Sequence, residues 1–291
     1  MGGWKLQNYF RRATLAVLAR ESDSPTVKLM IALIIKELRC YAYQPKYRRI
    51  QLGIICVLAV MVFATAFEQF ALSHARPQIH VGEHIYAVFI PLFFCLLLGL
   101  VVPLQAIESL QTERQSSNWS LLNLTPIGHS KFLFGKLIST LIATSWCIWL
   151  AVPLFWLSVY TGGLAFYQLL QCGLVFIAGF TLFFLIGASF TLLGSSIHTI
   201  PRSYAVVLSL TFIPLATPTL SPLLNLPAVL LDLLRVLSPL CVLIAVVRSK
   251  ASMSLGIAPI WVWMVCCYIV LSTMLFWISS RQLATRELAS L

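Results

Sequence analysis

The sequence predicts an all-α polytopic membrane protein, with six transmembrane helices preceded by an N-terminal interfacial helix. Three observations carry this. First, 59% of the 291 residues are hydrophobic and only 10% are charged. A soluble domain carries about a quarter charged residues, so lipid rather than water must solvate this surface. Second, the apolar runs are continuous. From Leu137 to Pro201 no residue is formally charged, taking His as neutral. Lipid leaves only helices and closed barrels, and barrel strands would alternate apolar with polar positions. Third, ten of the twenty Lys and Arg lie at or before Arg49, against three acids. That asymmetry is a topology signal and not a nucleic-acid footprint, so no nucleic-acid partner is expected.

The elements follow in order. Residues 1–49 form a cytoplasmic N-terminal region. Its polar start predicts no cleavable signal peptide. Trp4, Leu6, Tyr9, Phe10, Ala13 and Val17 recur at helical spacing, with Arg11, Arg12 and Arg20 toward headgroups. A break at Asp23-Ser24-Pro25-Thr26 precedes a second short helix. Its apolar run, 29–35, is too short to span, and Lys36, Glu37 and Arg39 follow at once. This segment is expected to lie in the interface and to end before Pro45.

The transmembrane domain covers 50–280. Spans are expected at 50–70, 84–107, 137–159, 166–195, 204–224 and 257–280. Gly187, Thr191, Gly194 and Ser195 put small residues at helical spacing, which permits close helix packing. Pro214, Pro218 and Pro222 interrupt the fifth span, and a helix so broken lines a cavity or is re-entrant. Residues 227–250 read as short half-helices dipping into one face. A seven-span alternative, with 227–247 crossing, would bury Asp232 and Arg235 at ~2–3 kcal/mol each unless they pair. Residues 281–291 form a short cytoplasmic tail. Six spans put both termini on one side. Sixteen basic residues then lie inside and four outside, so that side is cytoplasmic.

Between the second and third spans lies a polar stretch, 108–136, reading ESLQTERQSSNWSLLNLTPIGHSKFLFGK. A cytoplasmic loop wedged between spans is where a membrane protein takes instructions from a soluble partner. Gly128 to Lys136 is not a phosphate loop. Six residues separate its glycines where four are needed, and Leu137 follows the lysine. No ATP site and no cofactor are expected in this chain. His80-Val81-Gly82-Glu83-His84 matches H-x-x-E-H, a zinc-peptidase pattern. Gly82 sits inside the motif and no supporting acid is evident, so loop polarity is the simpler reading. The eight cysteines contain no CxxC and read as small hydrophobes. The sequons at Asn118 and Asn123 face the cytoplasm in this topology.

Lys36-Glu37-Leu38-Arg39 precedes the first span. Glu113-Arg114, Leu121-Leu122, Thr125-Pro126-Ile127 and Gly135-Lys136 follow the second, in that order. This ordered set resembles the permease subunits of ABC transporters of the type-2 exporter class. The resemblance is sharpest from Pro25 to Lys136. One departure is Ser116-Ser117-Asn118-Trp119-Ser120, where the family has Gly-Thr. The resemblance implies a six-span half in the plasma membrane of bacterial inner-membrane type. It also implies a second copy or a related permease as dimer partner, and a separate cytoplasmic ATPase subunit. Lys36, Glu37, Arg39, Glu113, Arg114, Thr125, Pro126, Gly135 and Lys136 would then form the coupling element. Spans of Leu, Phe and Val with almost no mid-membrane charge tilt the cargo toward a lipid-like or amphipathic molecule. Two alternatives stand beside it: a membrane metallo-enzyme using His80, Glu83 and His84, and a non-transporting assembly protein.

Overall fold

A computed structural model describes residues 25–43, 45–73, 81–115, 128–160, 166–193, 199–214, 228–247, 254–255 and 258–290. The architecture is helical: α1 (Pro25–Tyr43), α2 (Pro45–Ser73), α3 (Val81–Leu96), α4 (Val102–Gln115), α5 (His129–Tyr160), α6 (Phe166–Leu193), α7 (Thr199–Phe212), α8 (Ala228–Leu237), α9 (Pro239–Val247) and α10 (Ile260–Ser290). One antiparallel pair, Ser254–Leu255 with Ala258–Pro259, precedes α10. Pro25 and Pro45 each open a helix, where a missing N–H costs nothing.

Among the described residues, five helices are long and apolar enough to cross a membrane: Pro45–Glu68, Val88–Glu113, His129–Pro153, Phe166–Leu193 and Ile260–Leu283. They divide into an inner and an outer set. In the most apolar 18-residue stretch of each, 67% of residues are buried within Val88–Glu113 and 61% within Phe166–Leu193, but only 11% within Pro45–Glu68. The outer helix therefore offers Leu52, Val60, Phe63 and Phe67 to its surroundings. Such an apolar belt suits hydrocarbon, not water.

The two inner helices pack closely because of glycine. A Cβ at Gly187 would lie 3.0 Å from the Pro103 carbonyl oxygen and 3.1 Å from the Ala106 Cβ. The backbones of α4 and α6 thus nearly touch, as the small-residue spacing around Gly187 predicts. Gly194 and Ser195 lie outside the described residues. Polar side chains add short ties: Thr144 donates to Gln105 Oε1 at 3.0 Å, with both residues buried.

Between α3 and α4 the chain makes a π-helical turn, Leu97–Val101. Its cause is Pro103, which has no N–H to offer and would crowd the preceding turn. The Val102 N–H reaches back to the Leu97 carbonyl, five residues away. The Tyr204 hydroxyl donates to the Leu100 carbonyl at 2.7 Å. That bond ties α7 to the π turn.

The expected span over 204–224 is not one described helix. α7 begins beside α4, where Gln111 donates to Thr199 Oγ1 at 3.0 Å, and is helical only to Phe212. α8 and α9 are short, as expected for 227–250. However, α9 does not merely dip into a face. Pro239, Leu240, Val242, Leu243, Val246 and Val247 are all buried, and α9 packs on α3, α6 and α10. Its far end meets the start of α6, where Gln168 donates to the Val246 carbonyl at 3.2 Å.

Three helix ends meet in the interior. The Ser238 hydroxyl donates to the Thr211 carbonyl at 2.8 Å and accepts from the Cys241 N–H at 3.4 Å. The Tyr268 hydroxyl donates to the Leu237 carbonyl at 2.6 Å. These bonds replace the intrahelical partners that a break removes. Tyr268→Phe is expected to lower stability by about 1–3 kcal/mol, since it strands a carbonyl in an apolar interior. Thermal unfolding in detergent, followed by tryptophan fluorescence, would measure this. An unchanged midpoint would mean that the hydroxyl caps nothing.

Candidate functional site

The residues expected to couple this chain to a partner fall into three groups. Thr125 and Pro126 lie outside the described residues. Arg114 belongs to α4, but its side chain also lies outside them. Arg39 is exposed on α1. The remaining five, Lys36, Glu37, Glu113, Gly135 and Lys136, come together at one end of the bundle.

The stretch 108–136 is shorter as a loop than its polarity predicts. Helix α4 runs through Gln115 and α5 starts at His129. Glu113 and Lys136 at these helix ends face inward and find charged partners on α1. Lys136 Nζ donates to Glu37 Oε1 at 2.6 Å, to the Ser109 carbonyl at 3.2 Å and to Glu113 Oε1 at 3.5 Å. Its three N–H groups thus meet three acceptors. It also lies 5.7 Å from the centre of the Phe132 ring, within cation–π range. Lys36 Nζ donates to the same Glu113 oxygen at 2.8 Å. Two lysines and two glutamates make the cluster neutral.

Burial sets the weight of each member. The Lys136 side chain is 1% exposed, whereas that of Lys36 is 51% exposed. Glu37 and Glu113 are both buried. Glu113 is therefore buried, although it lies in a stretch whose polarity reads as loop. An uncompensated charge in such a place costs several kcal/mol, and pairing offsets it only with good geometry. Burial acts to lower the Lys36 pKa. The hydrogen bond and charge of Glu113, with Glu37 and Cys40 behind, outweigh burial and hold it above the ordinary lysine value. Burial pushes the neighbouring Tyr41 phenol up as well.

Gly135 has a steric role beside Lys136. A Cβ there would stand 3.1 Å from Leu33 Cδ2, so its absence lets α1 lie close on α5. A second tie fixes the start of α2: Lys46 and the Tyr47 hydroxyl both hold Glu108. Tyr41 and Tyr47 meet edge to face across the α1–α2 junction, with ring centres 5.0 Å apart. Reading the sequence alone missed Glu108, Ser109 and Tyr47. Their signal was spacing: Glu108 and Glu113 are placed to reach two different elements from one helix.

The zinc-peptidase pattern fares differently. His80 lies outside the described residues. Glu83 and His84 belong to α3, but their side chains lie outside them too. Among the described residues, no group of three or more His, Cys, Asp and Glu could hold a metal ion.

At the opposite end of the bundle is an apolar cavity of about 550 Å³ between α3, α5 and α6. Taken together, the cluster at one end can transmit force between α1, α4 and α5, and the cavity at the other can receive an apolar molecule. Comparison with known proteins leaves the geometry to stand by itself: no family model matches this chain, and no curated protein matches it.

Proposed function

We propose that this chain is the permease subunit of an ABC-type exporter, moving a lipid-like or amphipathic cargo with ATP hydrolysed by a separate cytoplasmic subunit. The observation that carries this reading is the neutral Lys36–Glu113–Lys136–Glu37 cluster. It fastens α1 to the two helix ends that flank residues 116–127. A partner pressing on that segment or on α1 would move both crossings together, because neither end can shift without separating buried charges. The proposed topology has six crossings, with α7 and α9 as the two halves of the fifth. Broken helices of this kind line transport pathways in other membrane proteins. Both termini lie in the cytoplasm of a bacterial-type cell, and α1 rests in the interface. Arg39, Arg48 and Arg49 are exposed there, at the level of anionic headgroups. A second copy or a related permease completes the pathway.

The test is extraction from native membranes into lipid discs through a tag on this chain. A vanadate-sensitive ATPase is expected to co-elute. The same chain expressed without a partner is expected to hydrolyse no ATP. A chain that leaves its native membrane alone, with no ATPase in the discs, overturns the reading.

A further inference from the structure

The residues lining the cavity between α3, α5 and α6 include Phe94, Trp156, Phe166, Gly173 and Phe176. We propose that it is a binding site for one acyl chain of a bilayer phospholipid, taken from the leaflet opposite the ion cluster.

Chemistry selects the ligand class. The Trp156 indole N–H is the one polar side-chain group among the lining residues, and it stands at the rim. Any polar cargo would lose its hydrogen bonds inside, at several kcal/mol per group. The volume lies within the ~300–1,000 Å³ of ordinary ligand pockets.

Position selects the source. Trp156 and Phe166 are 70% and 80% exposed, so the mouth opens on the lipid-facing surface. Trp156 stands about one turn before the end of α5 at Tyr160, which suits the headgroup boundary. The back wall is Phe94 against Phe176, both buried, with ring centres 4.9 Å apart. From Phe166 to Phe176 a helix rises about 15 Å. That is half of the ~30 Å hydrocarbon core, or the depth of one leaflet. A chain entering between Trp156 and Phe166 would therefore end against Phe94 and Phe176. Gly173 leaves the room: a Cβ there would meet nothing within 4 Å.

Photolabelling tests this. The protein is placed in discs containing a phospholipid with a diazirine at its acyl terminus, and labelled peptides are mapped by mass spectrometry. Label is expected on Phe94 and Phe176, saturating at low probe fraction. Label on the exposed Phe63 and Phe67 should rise in proportion to probe, as ordinary boundary lipid does. Gly173→Leu should cut labelling at Phe94 and Phe176 at least fivefold and leave Phe63 unchanged. Saturation in the wild-type protein decides the matter without that variant. The proposal falls if Phe94 and Phe176 label no better than Phe63, or label without saturating. It also falls if Gly173→Leu folds and changes nothing, or if Trp156→Cys, in a background freed of the native cysteines, cross-links two copies of the chain through the cavity mouth. Discs without ATP suffice, so failure here and failure to find an ATPase partner are separate results.

Discussion

Lys136→Met is expected to destabilise the protein by about 3–5 kcal/mol, the cost of breaking a buried ion pair from one side. The side chain removed is almost wholly buried and makes three hydrogen bonds. Glu113 would keep Lys36, but Glu37 would lose its ion pair with Lys136. Two comparisons isolate the cause. Lys36→Met removes a half-exposed lysine, and such pairs contribute about 0–1 kcal/mol. Glu37→Gln placed on Lys136→Met removes the stranded charge and should recover part of the loss. Chemical denaturation in detergent, scored by tryptophan fluorescence, would rank the three variants. Equal midpoints for Lys136→Met and Lys36→Met would mean that the cluster is not buried in the folded protein.

Gly187→Leu is expected to be as damaging, by a different route. At Gly187 the obstacle is the Pro103 carbonyl, a backbone atom that cannot swing aside. Even Gly187→Ala must push α4 from α6, and overpacking of this kind costs about 1–3 kcal/mol. Leucine adds three carbons to the same collision. The Leu variant should appear at low yield and elute as aggregate on size exclusion. Gly173→Ala is the matched control on the same helix, because its Cβ meets open space. If Gly187→Leu and Gly173→Ala behave alike, the α4–α6 contact is looser than described.

The long crossings were legible because continuous apolar runs leave lipid no other solution. The α1–α2 boundary was legible from Pro45. What stayed hidden depended on distant partners. Glu108–Gln115 and His129–Lys136 look like loop by polarity alone. They are helical, and two of their charges meet α1, with Lys36 77 positions before Glu113 and Glu37 99 before Lys136. No local pattern reports such pairs. Even so, all four charged members of the cluster were singled out from the sequence. Only their inward direction was not. α9 was hard to place for another reason: nine residues, six of them buried, are too few to declare themselves a crossing. The π turn lay inside the uniformly apolar Leu97–Val101, where periodicity has nothing to contrast with.

That turn carries a consequence for the far end of the same rod. A π turn holds roughly one residue more than an α-helical turn. Each residue in an α-helix advances the azimuth by about 100°. Had the segment wound as plain α-helix, every position beyond Val101 would sit about 100° further round the axis. Glu108 and Glu113 would then point away from Lys46, Lys36 and Lys136. The angular phase of the ion cluster is thus set near the middle of the candidate span, by a proline two residues past the turn. Mid-span backbone and the charge at the span's end belong to a single screw, and turning one end indexes the other.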